Sequence, residues 1–139
     1  MSRELVCVVV DDDDSIVEYV KTILSDEPQL DVHGFTSPRD AIGFMKGTRT
    51  HILIADVVMP DMDGIDLLDE TKKIDPLTHG IMITAYSTVG RVVISLMHGA
   101  SDFVRKPFET PSELLGAVHQ SIERWGRWYK VLKDTAADS

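Results

Sequence analysis

The sequence predicts an α/β protein in which helices cover both faces of a parallel sheet of five strands. Three short runs of almost continuous apolar residues and two weaker, more polar ones alternate along the chain with five longer amphipathic segments. Apolar runs without polar alternation are typical of strands buried on both faces, and parallel strands need a helical crossover between them. The chain has 139 residues, 43% of them hydrophobic and 27% charged, which fits one domain with its own core.

The first strand and helix have the clearest signals. Residues 5–10 (LVCVVV) are all apolar and predict a buried strand. A helix is predicted over residues 15–24, with Asp13 or Asp14 as its N-cap. Its apolar positions at helical spacing are Ile16, Val20 and Ile23.

The middle of the chain repeats this order twice. Residues 30–35 predict a short, weaker strand, and Ser37 as N-cap followed by Pro38 marks the start of the next helix. Residues 51–57 (HILIADV) predict a second buried strand, followed by a helix over residues 64–74. The inward-facing positions of that helix are Leu67 and Leu68.

The remaining elements complete the alternation. Residues 80–85 (GIMITA) predict a third buried strand, and a helix over residues 88–99 ends at Gly99. Residues 101–107 predict a short last strand, and a long amphipathic helix follows it. The complete series predicts a doubly wound sheet, whose ligand sites lie at the carboxyl ends of its strands.

The final helix extends further than a five-stranded sheet requires. From about residue 112 to 132 it would span roughly 30 Å. We expect residues 1–122 to form the domain and residues 123–139 to form an extension that makes a dimer contact or connects to a further domain. In the alternative, Trp125 and Trp128 fold back onto the domain. The apolar positions, spaced alternately by three and four as in a coiled coil, are Leu115, Val118, Ile122, Trp125, Tyr129 and Leu132.

Charge and composition exclude several classes of function. A net charge of −9 argues against a nucleic acid or an anionic membrane as a direct partner and favours a divalent cation. The single cysteine, Cys7, is compatible with a cytoplasmic protein, and no apolar stretch is long enough for a signal core or a membrane span. The five histidines have no metal-ligand spacing and are expected to be structural or to lie on the surface.

Polar side chains lie at the ends of four of the predicted strands. Asp11 and Asp12 follow the first strand, Asp56 and Thr84 lie at the ends of two buried strands, and Lys106 lies at the end of the last. Two carboxylates about 4 Å apart repel each other by roughly 4 kcal/mol at an effective dielectric constant near 20. Three acids with one lysine therefore predict a site for Mg²⁺, which prefers hard oxygen ligands. A carboxylate beside such a metal is also a suitable nucleophile for phosphoryl transfer.

Four motifs in this order resemble a known family. The motifs "VVVDDDDSI", "ILIADVVMPDMDG", "MITAY" and "FVRKPF" are similar to those of the receiver domain of two-component response regulators, over about residues 4 to 122. The resemblance implies a (βα)5 flavodoxin-like fold with strand order 2-1-3-4-5. It also implies a signalling switch that accepts a phosphoryl group from a sensor histidine kinase or a histidine phosphotransfer protein, and then acts on a downstream partner or output domain.

The same resemblance implies a role for each matching position. Asp56 is the phosphoacceptor, and Asp11, Asp12, Asp56 and the backbone carbonyl of Val58 hold Mg²⁺ or Mn²⁺. Thr84 and Lys106 match the residues that contact the phosphoryl oxygens. Phe103 matches the aromatic residue that moves with Thr84. Pro107 matches the proline whose peptide bond aims Lys106 inward. The protein would then catalyse only its own phosphorylation and dephosphorylation, and Val58 and Tyr86 would keep the second reaction slow.

Other sequence patterns leave alternatives open. A Mg²⁺-dependent phosphatase of the haloacid dehalogenase type would use Asp11 as its nucleophile, although the late acidic pair of such enzymes has no counterpart after Lys106. A flavodoxin-like cofactor binder would share the fold but lacks a phosphate-binding loop after the first strand. The segment "DMDG" (61–64) resembles part of a calcium loop, but the first ligand position would be Met59, so we interpret it as a connector and helix start.

Overall fold

The computed structural model describes residues 4–85, 89–106 and 111–138, and it contains one parallel sheet of five strands in the order β2-β1-β3-β4-β5. The predicted fold class and strand order are therefore confirmed. The strands are β1 (Leu5–Val10), β2 (Leu30–Phe35), β3 (Ile52–Asp56), β4 (His79–Thr84) and β5 (Ala100–Arg105). The helices are α1 (Asp14–Leu24), α2 (Pro38–Gly47), α3 (Gly64–Ile74), α4 (Val89–Met97) and α5 (Ser112–Asp138).

Three strands differ from their predicted bounds by one or more residues. β4 begins at His79 because its backbone N–H donates to the carbonyl of His51 at 2.9 Å, which adds a ladder bond. β3 is shorter at both ends than the apolar run 51–57, and β5 covers Ala100–Arg105 instead of 101–107. Apolar character thus marks the strands, whereas the backbone hydrogen bonds determine their ends.

Side-chain caps begin three of the helices. Asp13 is the N-cap of α1, and its carboxylate accepts from the backbone N–H of Ser15 at 3.0 Å. Ser37 caps α2, with Pro38 at the first helical position as predicted. Asp63 caps α3 by accepting from the N–H of Asp66 at 2.8 Å, so the segment 61–64 is a helix start, as expected from its sequence.

The sheet carries a core on each face. Side chains alternate across β1, so that Cys7 and Val9 join the cluster under α1 and α5, and Val8 and Val10 join the cluster under α2 and α3. In α1 the fully buried residues are Val17, Val20 and Leu24. Two of the apolar positions named from the sequence, Ile16 and Ile23, are partly buried and pack against the same core cluster.

The packing of α5 continues past residue 122. Trp125 is completely buried in the same core cluster as Val118, and its indole N–H donates to the His51 carbonyl at 2.9 Å. Further along, Leu132 is 56% exposed, so the seam predicted from the sequence is buried in its first part and open at its end. No helix within the described ranges is long and apolar enough to cross a membrane.

Candidate functional site

The carboxyl ends of four strands bring the predicted polar residues to one edge of the sheet. Asp11 directly follows β1, Asp56 ends β3, Thr84 ends β4, and Lys106 follows β5. Parallel pairing keeps these ends level, since Asp56 lies opposite Ile83 in β4. The backbone N–H of Lys106 donates to the Thr84 carbonyl at 2.7 Å, which ties the lysine to the end of β4.

Three carboxylates form an acidic cluster at this edge. One oxygen from each of Asp11, Asp12 and Asp56 lies within 4.8 Å of the other two. Asp11 is fully buried and Asp56 is 7% exposed, whereas Asp12 faces solvent. The apolar strands fix two of the three acids, and the exposed third leaves the cluster open on one side.

Lys106 bridges the two buried acids. Its ammonium lies 2.5 Å from Asp11 Oδ2 and 3.4 Å from Asp56 Oδ2, and its side chain is only 12% exposed. One lysine against three acids leaves the cluster net negative. The arrangement can therefore accept a divalent cation without expelling the lysine.

Burial and the neighbouring charges shift the titration of two groups. Desolvation raises the pKa of Asp56, and Asp11 adds to this shift, while Lys106 opposes it. For Lys106, desolvation lowers the pKa, but the hydrogen bond and the charge of Asp11 outweigh it and the pKa is raised. Lys106 thus stays charged, and a metal cation near Asp56 would favour the ionised form of the Asp56 carboxyl group.

The run of four aspartates divides into two pairs. The Oδ1 atom of Asp11 accepts from the backbone N–H of Asp13 at 2.9 Å, which orients the carboxylate that contacts Lys106. The carboxylate of Asp13 instead accepts hydrogen bonds from the hydroxyl and the backbone N–H of Ser15. These bonds lower the pKa of Asp13. Asp14 lies in the first turn of α1 and is exposed, where an acidic residue favours the helix dipole.

Gly64 belongs to this site, although its role there was not predicted from the sequence. A Cβ atom at this position would lie 2.1 Å from the backbone oxygen of Asp56 and 2.8 Å from Met82 Cε, so no other residue fits without backbone movement. Its N–H donates to the Val57 carbonyl at 2.8 Å. The start of α3 is thereby held against the end of β3, and only the glycine of "PDMDG" could have signalled this close approach.

The other predicted positions lie around the cluster. The backbone N–H of Val58 donates to Asp56 Oδ1 at 3.3 Å, and the Val58 side chain is 38% exposed. Thr84 is fully buried, and Phe103 is partly buried against the core cluster beneath α2 and α3. The predictions for Tyr86 and Pro107 fall outside the described residues.

Comparison with known proteins agrees with this geometry. The family model of the response regulator receiver domain matches residues 7–119. The heme response regulator HssR of Staphylococcus epidermidis is 34% identical over 119 residues, which are 86% of this chain and 52% of that protein. The chemotaxis protein CheY of Thermotoga maritima is 35% identical over 85 residues, which are 61% of this chain and 70% of that protein. The chain thus spans about half the length of the heme response regulator.

Solved structures agree in fold over most of the chain. The signal receiver domain of a putative LuxO repressor protein from Vibrio parahaemolyticus has a TM-score of 0.84 at 30% identity, covering 92% of this chain and 97% of that one. The beryllofluoride-activated NtrC4 receiver domain dimer has a TM-score of 0.80 at 29% identity, covering 86% and 98%. The residues matched by the family model, 7–119, include the carboxyl ends of all four strands that form the acidic edge.

Proposed function

The chain belongs to the response regulator receiver domain family and is a phosphoacceptor switch of two-component signalling, and we propose that Asp56 is the residue that accepts the phosphoryl group. The observation that supports this choice is the position of Asp56. It is the carboxylate at the end of a central strand, within reach of both a lysine and two further acids. The alternative phosphatase of the haloacid dehalogenase type is not supported, because the family match covers most of the chain.

The proposed reaction uses the side chains of the acidic edge directly. A carboxylate oxygen of Asp56 attacks the phosphorus of a phosphohistidine on a partner kinase or phosphotransfer protein, forming the O–P bond as the P–N bond breaks. The imidazole nitrogen leaves with the electron pair and takes up a proton. Lys106, which lies 3.4 Å from Asp56, stays charged and stabilises the negative charge of the transferred group.

The acidic cluster fits a hard divalent cation. Asp11, Asp12 and Asp56 offer carboxylate oxygens within 4.8 Å of one another, and the backbone carbonyl of Val58 is the fourth ligand we propose. When bound, Mg²⁺ or Mn²⁺ neutralises charge on the acids and on the phosphoryl oxygens. Asp11 is already oriented by the Asp13 N–H and by Lys106, so ordering it for the ion costs little entropy.

Substitution of Asp12 tests the metal site. We expect Asp12→Asn to weaken Mg²⁺ binding by roughly 10- to 100-fold, because a charged ligand is lost while the buried acids remain. Calorimetric titration with Mg²⁺ measures the effect, and Asp14→Asn is the matched control, since it removes an exposed carboxylate two residues away. Equal weakening of Mg²⁺ binding in Asp12→Asn and Asp14→Asn would contradict this site.

The same titration at several pH values tests the role of Asp56 as a ligand. Because the pKa of Asp56 is raised, the affinity for Mg²⁺ should decrease as the pH is lowered.

The switch would connect Asp56 to a partner-binding surface. We propose that phosphorylation draws Thr84 toward the phosphoryl group and that Phe103 moves with it, which alters the surface formed by α4, β5 and α5. The exposure of α4 supports a binding role, because four large apolar side chains on one short helix face solvent. These are Val93, Ile94, Leu96 and Met97, which are 47%, 46%, 51% and 80% exposed.

Beryllofluoride with Mg²⁺, which mimics the phosphoryl group, tests this coupling by amide NMR. Shifts are expected at residues 56–58, at Thr84 and at Phe103. In Thr84→Ala the shifts near Asp56 should remain while those at Phe103 shrink at least threefold. Thr22→Ala, which removes an exposed hydroxyl of α1, should leave the pattern unchanged. A response of Phe103 in Thr84→Ala equal to that of the unsubstituted protein would show that Thr84 does not transmit the change.

The partners and the use of the C-terminal helix follow from the same proposal. We propose a sensor histidine kinase or a histidine phosphotransfer protein as the phosphoryl donor in the cytoplasm. The chain's own chemistry would be limited to phosphorylation and dephosphorylation of Asp56. The exposed end of α5, with Val131 and Leu132 61% and 56% exposed, would contact a second copy or connect to an output domain.

A further inference from the structure

Five rings gather at the edge of the sheet opposite the acidic cluster. We call them the base cluster. It consists of His51 directly before β3, His79 at the start of β4, and Trp125, Trp128 and Tyr129 from α5. Trp125 packs edge-on to His51 with ring centroids 4.9 Å apart, and Trp128 packs edge-on to His79 at 4.9 Å. Both histidines are buried, at 6% and 3% exposure. The proposed phosphoryl chemistry uses none of these residues.

The hydrogen bonds of His51 require a neutral ring. Its Nδ1 accepts from the backbone N–H of Val6 at 2.9 Å, so the ring proton must be on Nε2, which lies 2.8 Å from the hydroxyl oxygen of Tyr129. A proton on Nδ1 would face another N–H donor and break the bond to β1. The same residue's backbone carbonyl accepts from the indole of Trp125, so His51 joins β1, β3 and α5.

His79 is even less able to accept a proton. Among the described residues, neither of its ring nitrogens has a hydrogen-bond partner. The rings of Trp125 and Trp128 cover it at centroid distances of 5.8 and 4.9 Å. An imidazolium there would be a buried cation without an acceptor, and moving α5 away would let water reach it.

We propose that the base cluster is an acid-sensitive latch, which holds the C-terminal half of α5 on the sheet while both imidazoles are neutral and releases it when either one takes up a proton. The geometry alone carries this inference, since one ring is bonded in a way that excludes a second proton and the other has no acceptor for it. Release would uncover Trp125 and free the end of α5, which would couple the position of the C-terminal extension to acidity.

The charged groups that face the cluster favour the neutral rings. His51 experiences the positive charge of Arg49 and, more weakly, the negative charge of Asp75, while His79 experiences Arg124 of α5 and Lys72 of α3. Tyr129 places its hydroxyl group beside Nε2 of His51. Desolvation, with these cations, lowers the pKa of both histidines, that of His79 to about 4.

The sign of the effect follows from these directions. A histidine whose pKa is depressed in the closed state takes up protons on opening, so closure is favoured fully above the ordinary pKa and weakens as the pH falls below it. For His79, a change from 6.5 to about 4 predicts that the local opening equilibrium rises about 30-fold between pH 7.5 and pH 5.0.

Hydrogen exchange of the Trp125 indole N–H, followed by NMR in the full chain, measures this opening. After correction for the intrinsic pH dependence of exchange, its protection should fall about 30-fold from pH 7.5 to 5.0. The amide of fully buried Leu68 in α3 reports on global unfolding, which also exposes His79, so Leu68 should stay more protected than the Trp125 indole at every pH if the opening is local. In His79→Phe the fall at Trp125 should shrink at least threefold, whereas His119→Phe, at an exposed position of the same helix, should leave it unchanged.

A second measurement keeps the proposal testable if His79→Phe does not fold. In the unsubstituted protein, NMR follows the ring C–H resonances of the two histidines as the pH changes. The resonance of His79 should not titrate above about pH 5, and that of His51 should titrate below the ordinary histidine range. Protection of Trp125 that is independent of pH, an equal fall in His79→Phe, or midpoints of 6.5 or higher for both rings would overturn the latch.

Discussion

Replacing Asp56 with asparagine is expected to abolish phosphorylation of the chain, with a loss of roughly 10³-fold or more in the rate of phosphoryl transfer. The amide has the same shape as the carboxylate but cannot act as the anionic nucleophile that an acyl phosphate requires. The substitution should not unfold the protein, because it removes one of three clustered negative charges. A small-molecule phosphodonor with Mg²⁺, followed by intact mass measurement, tests this result without a cognate kinase.

Two controls separate the nucleophile from the remaining acids. Asp14→Asn makes the same chemical change at an exposed helix position and should leave phosphorylation intact. Asp11→Asn should slow the reaction by weakening the metal site and removing the closest partner of Lys106, but the product should still form. If Asp11→Asn abolished the product while Asp56→Asn retained it, the phosphatase alternative would regain support.

The second large effect concerns stability. Trp125→Ala is expected to lower the free energy of unfolding by about 3 to 5 kcal/mol, because a fully buried indole leaves a cavity and its bond to the His51 carbonyl is lost. Equilibrium unfolding in urea or guanidinium measures this loss. The slope of the unfolding free energy against denaturant concentration should be the same in both proteins for the values to be compared. The result would show that the folded unit extends beyond residue 122.

The neighbouring tryptophan provides a matched control. Trp128 is only partly buried, whereas Trp125 is fully buried, so Trp128→Ala should lower the free energy of unfolding clearly less. A loss below about 1 kcal/mol for Trp125→Ala would mean that the end of α5 is not packed on the sheet in solution.

The sequence was most informative where one physical signal acted alone. A continuous apolar run predicted β1 with the bounds observed, and the weaker pattern of residues 30–35 did the same for β2. The polar residues at the strand ends predicted which side chains the parallel sheet would bring together. That inference needs only the rule that parallel strands end at the same edge. The positions of Asp11, Asp56 and Lys106 could therefore be expected before any coordinates.

Features that depend on tertiary distance could not be predicted in this way. Gly64 reads as an ordinary turn residue until its contact with the backbone of Asp56 is known. Likewise, the repeat that places Trp125 on the predicted seam does not reveal whether a sheet or a second helix covers it. The pairing of His51 with Tyr129, 78 residues apart, has no local signal at all.

The position of the phosphoryl group on the chain is the most direct test of the central claim. Borohydride reduction of the phosphorylated protein converts an aspartyl phosphate to homoserine, and peptide sequencing by mass spectrometry then locates it. We expect homoserine at position 56, in the peptide that contains Val58 and Met59. Homoserine at position 11 or 12, with Asp56 unmodified, would contradict the assignment of Asp56 as phosphoacceptor.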